Sequence, residues 1–124
     1  MLSLPSNTRL FLAAKPVDFR KSFDGLAAIA EGQFGKTLMD GDIFIFMNRL
    51  HTQIKILFWD RDGLCLIAKR LEKGTFRRVV SANSDAVHVQ IDSTELMLLL
   101  AGVDVENMKR RKRFSDRKML INSA

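Results

Sequence analysis

A single cysteine, Cys65, excludes an internal disulfide framework. Set within the apolar run Leu64 to Ala68, it reads as a buried, reduced thiol. No uncharged apolar run approaches the roughly 18 residues that a membrane-spanning helix needs, so the sequence predicts a protein with no place in a bilayer. Residues 1–7 lack the basic start and long apolar stretch of a secretory signal, and the expected location is the cytoplasm. No glycine-rich loop of the GxxxxGKS type is present, which excludes P-loop phosphoryl transfer. Two isolated histidines, His51 and His88, and one cysteine give no ligand spacing for zinc. No metal, cofactor or nucleophile constellation is expected.

What is present is a chain of 124 residues, 47% apolar, which predicts one compact core. Its charge of +6 is unevenly placed. Residues 109–124 carry Lys109, Arg110, Arg111, Lys112, Arg113, Arg117 and Lys118 against Asp116, giving +6, while the other 108 residues balance to zero. The expected organisation is a single domain over 1–108 and a basic, flexible tail over 109–124. Five consecutive cations repel one another, so such a tail implies either a polyanionic partner or a merely solvated segment.

The hydrophobic pattern predicts an α+β fold, a small antiparallel β-sheet of about five strands packed by an early and a late helix. Thr8 to Ala14 reads as a strand closed by Lys15-Pro16. Asp18 is a candidate N-cap for a helix whose apolar stripe is Phe23, Leu26, Ala27, Ala30 and Phe34, with Gly32 and Gly35 ending it. Gly25 within that stripe implies either close packing of another backbone or a weak point. Ile43 to Met47, Ile54 to Trp59 and Leu64 to Ala68 form an antiparallel meander, with the tight turn of Asp60-Arg61-Asp62-Gly63 placing positive φ on Gly63. Thr75 to Val80 and Val87 to Ile91 supply further strands. Asp92-Ser93-Thr94-Glu95 spells a capping box for the late helix, with Leu96, Leu99 and Leu100 facing the core and Gly102 as its stop.

Chemistry is sparse in this pattern. Asp60 and Asp62 lie at a strand end, as carboxylates of two-metal nucleases do, but Gly63 makes the stretch a turn, where Asp is common for local hydrogen bonding. Trp59 reads as core rather than as a platform for stacking bases. Arg20 and Lys21 stand at the start of the early helix, where the dipole favours acids, so another requirement must place positive charge there. Lys55, Lys69, Arg70, Lys73, Arg77 and Arg78 surround the central strands, either as a phosphate-binding patch or as solvated charges interleaved with Asp60, Asp62, Glu72 and Asp85. The candidate DNA-contacting residues are therefore the seven tail cations together with Arg20, Lys21, Lys55, Lys69 and Arg70.

Three ordered stretches, 18–26 (DFRKSFDGL), 54–66 (IKILFWDRDGLCL) and 69–76 (KRLEKGTF), resemble the TnpB accessory family of the insertion-sequence sixty-six elements of bacteria. Leu99 to Asp104 is similar to that family's closing segment, so the resemblance runs from Leu4 to Asp104. It implies a non-catalytic helper in DNA transposition that binds DNA, the element's transposase, or both, with the strand-breaking acidic residues in the transposase. No catalytic residue is carried over. Residues 47–53 depart from the arginine-dense stretch of similar proteins. The rival readings are a module that docks the transposase without touching DNA and a metal-dependent nuclease built on Asp60 and Asp62.

Overall fold

The central strand of the sheet is apolar at every position because both of its faces are covered. In the computed structural model, which describes residues 7–79, 83 and 85–101, five strands run Leu10–Ala13 (β1), Ile43–Met47 (β2), Gln53–Asp60 (β3), Gly63–Arg70 (β4) and His88–Ile91 (β5). Two α-helices, Phe23–Ala28 (α1) and Ser93–Leu100 (α2), complete the α+β fold. The sheet order is β4-β3-β2-β1-β5. A sheet covered on both faces loses the polar alternation of a half-buried strand, and β2, Ile-Phe-Ile-Phe-Met, is buried throughout.

All neighbouring strands are antiparallel except β1 and β2, which pair in parallel with Leu10 opposite Ile43. Parallel neighbours need a crossover connection, and α1 lies within it. One face gathers Leu10, Leu12, Ile43, Ile45, Ile54, Ile56 and Ile91 under Leu96 and Leu99 of α2. The other gathers Phe11, Phe44, Phe46 and Leu57 under Leu26, Ala30 and Phe34. Phe34 stacks on Phe46 at 6.0 Å. Each such buried side chain contributes about 1.5–3 kcal/mol through removal from water.

Several local expectations need correction. The early helix is a short α segment running into a π-helical turn, Ile29–Gln33, with Phe34 N–H donating to the Ile29 carbonyl at 3.0 Å. Gly32 lies inside that turn, and Gly35, at φ +66°, ends it. Residues 75–79 form no strand. They run outside the sheet, pinned by Phe76, whose N–H donates to the His51 carbonyl at 2.6 Å and whose ring is buried under the α2 face. At the β3–β4 hairpin the positive φ falls on Arg61 (+53°) and not on Gly63. Asp62 N–H donates to the Asp60 carbonyl at 2.6 Å, so Arg61 is the centre of a three-residue turn of a kind that is uncommon and strained. Cys65 and Trp59 are half-buried rather than core.

The late helix begins as its sequence spells. Asp92 Oδ1 accepts from Glu95 N–H at 2.7 Å, and the Glu95 carboxylate accepts from Asp92 N–H at 3.3 Å. Gly102, its expected stop, and the whole basic segment 109–124 lie outside the described residues. No helix among the described residues is long and apolar enough to cross a membrane.

Candidate nucleic-acid interface

After β1 the chain turns at Lys15-Pro16 and is fixed by Val17 N–H, which donates to the Met47 carbonyl at 2.9 Å. Asp18 then folds back on the following residues. Its carboxylate accepts the Arg20 backbone N–H at 2.9 Å and the Arg20 guanidinium at 2.6–3.2 Å. Those hydrogen bonds from Arg20 are the main reason that the Asp18 carboxyl is held down to about 2. Asp18 is therefore not the N-cap of α1. Ser22 occupies that position, without a side-chain capping bond.

Lys55 reaches this turn from β3. Its ammonium donates to the Phe19 carbonyl at 3.1 Å and the Lys21 carbonyl at 2.9 Å, and lies 4.8 Å from the centre of the Phe19 ring. The stem of Lys21 passes over Gly25, where an added Cβ would stand 2.9 Å from the Lys21 Cβ. Gly25 thus makes room for the side chain of Lys21 and not for another backbone.

The β2–β3 loop faces the same turn. Asn48 Oδ1 accepts from the Thr52 and Gln53 backbone N–H groups at 2.9 and 3.0 Å, and Asn48 Nδ2 donates to Thr52 Oγ1. His51 takes positive φ (+56°) to close the loop. Burial, and then the charge of Arg78, lowers the His51 pKa. Arg49 and Leu50 form the tip, with Leu50 71% exposed. Pro16, Val17, Asp18, Phe19 and Arg20 on one side, and Asn48, Arg49, Leu50 and Gln53 on the other, line an open groove of about 840 Å³. Nothing in the sequence pattern marked this groove, because its two walls are some thirty residues apart and meet through the Val17–Met47 bond.

Of the body cations singled out by sequence, Arg20, Lys21 and Lys55 come together at this turn. Opposed residues of an antiparallel pair share a face, so the β3–β4 register places Arg70, opposite Gln53, on the face of Lys55, and Lys69, opposite Ile54, on the other. The five do not form one continuous patch. Arg20 is paired to Asp18, and Arg70 lies 3.2 Å from Glu72. The Lys69 ammonium donates to the Leu100 carbonyl at the C-terminal end of α2, where a helix favours positive charge. Arg77 lies 4.0 Å from Glu95.

Asp60 ends β3 and Asp62 lies in the turn that follows, and among the described residues no three His, Cys, Asp or Glu side chains gather where they could hold a metal ion. Two further polar features escaped sequence reasoning. Asp42, buried between the strands, accepts from Arg9 Nε and Nη2 at 3.0 and 2.8 Å and ties the starts of β1 and β2. His88 stacks on Phe34 at 5.0 Å with a buried, unpartnered Nδ1, and its pKa is lowered by burial and then by Lys36.

The model of a family described as IS66 Orf2-like protein matches residues 8–110. The chain is similar to two uncharacterised proteins of Sinorhizobium fredii (strain NBRC 101917 / NGR234). It is 32% identical to y4jC over 90% of this chain and 92% of that one. It is 31% identical to y4hO over 84% of this chain and 88% of that one. No solved structure matches it.

Proposed function

The chain belongs to the IS66 Orf2-like family, and from that premise we propose that it is a non-catalytic accessory protein of insertion-sequence transposition whose basic tail holds DNA. The family carries the accessory role in transposition. The separation of charge carries the DNA reading, with +6 in residues 109–124 and none net in the remaining 108. In the body, Arg20, Arg70, Lys55 and Lys69 already have internal partners, so these four have less charge to offer a phosphate. Lys109, Arg110, Arg111, Lys112, Arg113, Arg117 and Lys118 neutralise phosphates without reading bases, in the cytoplasm, beside the element's transposase. Arg20 and Lys21 add phosphate contacts at the turn, which Lys55 holds from β3, whereas Lys69, on the other face, and Arg70 are held by partners of their own.

The groove between residues 16–20 and 48–53 favours a second reading, in which the body docks the transposase and the tail is incidental. One experiment separates the two. Duplex DNA binding is measured for the full chain and for a version ending at Met108, from low to moderate salt. The DNA reading expects binding by the full chain alone, weakening steeply with salt. Equal binding by both versions, or none by either at low salt, sinks it and turns attention to the transposase surface.

A further inference from the structure

The two edges of the sheet differ in kind. β5 is four residues long, whereas β4 has eight, pairs with β3 in unbroken register and contains no proline. Natural sheets blunt an exposed edge with short strands, proline, bulges or central charges, because its free N–H and C=O groups template pairing with another strand. The middle of β4 has none of these protections. Leu64 to Ala68 is uncharged, Leu64, Cys65 and Leu66 are only half-buried, and Ile67 is 42% exposed. Among the described residues no strand pairs with the outer side of β4.

We propose that this edge pairs with the same edge of a second copy of the chain, antiparallel about Leu66, so that one sheet runs continuously through a twofold dimer. Self-complementarity selects the occupant. A twofold contact sets each patch against itself, and side chains opposed across an antiparallel ladder share a face. Two registers then give the greatest overlap of Gly63–Arg70 with itself. With Leu66 opposite itself, Cys65 meets Ile67 of the partner subunit, Leu64 meets Ala68 of the partner subunit, and Asp62 meets Arg70 of the partner subunit. With Ile67 opposite itself, Asp62 would face Glu72 of the partner subunit and Arg61 would face Lys73 of the partner subunit. Only the first brings opposite charges level at both ends, with Asp62, in the turn just before β4, beside Arg70 of the partner subunit, at the last position of that strand, an arrangement that stabilises cross-strand pairing. It also removes the exposed Ile67 and the half-buried Cys65 from water. The proposal does not depend on whether the tail binds DNA.

The test uses the full chain in sedimentation equilibrium and in mild oxidation. Opposed Cα atoms in such a ladder stand about 4.5–5.5 Å apart, inside the range of about 4.4–6.8 Å that a disulfide spans. The double variant Cys65→Ser, Leu66→Cys is therefore expected to oxidise to a covalent dimer. The natural chain is not, since Cys65 and its mate are offset by two residues, roughly 8 Å apart. Asp62→Arg sets like charges opposite at both ends and is expected to weaken the dimer roughly tenfold, and adding Arg70→Asp restores it. Ile67→Lys gives a monomer with unchanged circular dichroism. A natural chain that sediments as a monomer at tens of micromolar overturns the proposal, as does a dimer whose strength ignores both charge changes or whose cross-linking occurs through Cys65 instead.

Discussion

Lys55 binds Phe19 twice, donating its ammonium to that residue's carbonyl at 3.1 Å while resting 4.8 Å from the centre of its ring. The Lys21 carbonyl completes the site at 2.9 Å. The contact joins β3, which carries Lys55, to the residues that lead into α1. A side chain that looks like a phosphate ligand in the sequence is thus a clasp on a turn.

Lys55→Met keeps the stem and removes the donor. The two carbonyls then lose a charged partner near the surface, and the expected loss of stability is about 1–2 kcal/mol, read as a lower urea midpoint at unchanged slope. DNA affinity is expected to change less than twofold. A large loss of DNA binding at unchanged stability would return Lys55 to the interface.

Phe76 shows where tertiary contacts overruled local pattern. Thr75 to Val80 has the composition of a strand, yet the described residues 75–79 join no ladder: Phe76 N–H donates to the His51 carbonyl and its ring is buried in the core beneath α2. Phe76→Ala is expected to cost about 3–5 kcal/mol. Val79→Ala, at a half-buried position beside it, is expected to cost about 1 kcal/mol. Chemical denaturation of both variants checks the ratio, and near-equal losses would contradict the pinning role of Phe76.

The same contrast runs through the rest of the molecule. Strands β2 and β3 were legible as runs of β-branched and aromatic residues, β4 as an apolar run between a turn and a pair of cations, and α2 because Asp92 and Glu95 spell its cap. The parallel pairing of β1 with β2 was not, since it depends on a crossover and on the Arg9–Asp42 pair, thirty-three residues apart. At the site, the sequence flagged Arg20 as a cation at the wrong end of a helix. Its partner, Asp18, had been read as a cap, and the bond between the two explains both residues at once.

Acid stability should depend on two histidines. Burial lowers the pKa of His88 and of His51 in the folded chain, aided by Lys36 and Arg78 respectively. An unfolded chain then binds more protons below the ordinary histidine value of about 6.5, so stability is full above that value and falls as pH drops through it. His88→Phe keeps the ring packed on Phe34 and removes the unpartnered nitrogen. Its melting temperature is expected to vary less between pH 7 and pH 5 than that of the natural chain. His51→Asn, which tolerates the positive φ of the loop, is expected to remove the remainder. Asp18 adds a separate, lower limb. Its carboxyl, held at about 2 by Arg20, contributes stability above the unfolded value of about 3.9 that is lost as pH falls from there toward 2. Unchanged pH profiles in the histidine variants would show that neither ring is buried as described.

The tail reading makes a quantitative claim about salt. Each phosphate neutralised on duplex DNA adds about 0.9 to the slope of log affinity against log salt, so the seven cations of residues 109–124 set an upper limit of roughly six. Replacing Arg110 and Arg111 by Ala is expected to lower the measured slope by about two, equally for unrelated duplexes and for the ends of the element. Phosphate contacts carry no base information, and a loss confined to one duplex would mean that these arginines read sequence. Fluorescence anisotropy titrations at four or more salt concentrations give the slope directly. If it stays unchanged while the body variants Arg20→Ala and Lys21→Ala reduce it, the phosphate contacts belong to the turn beside α1 and the tail has some other purpose.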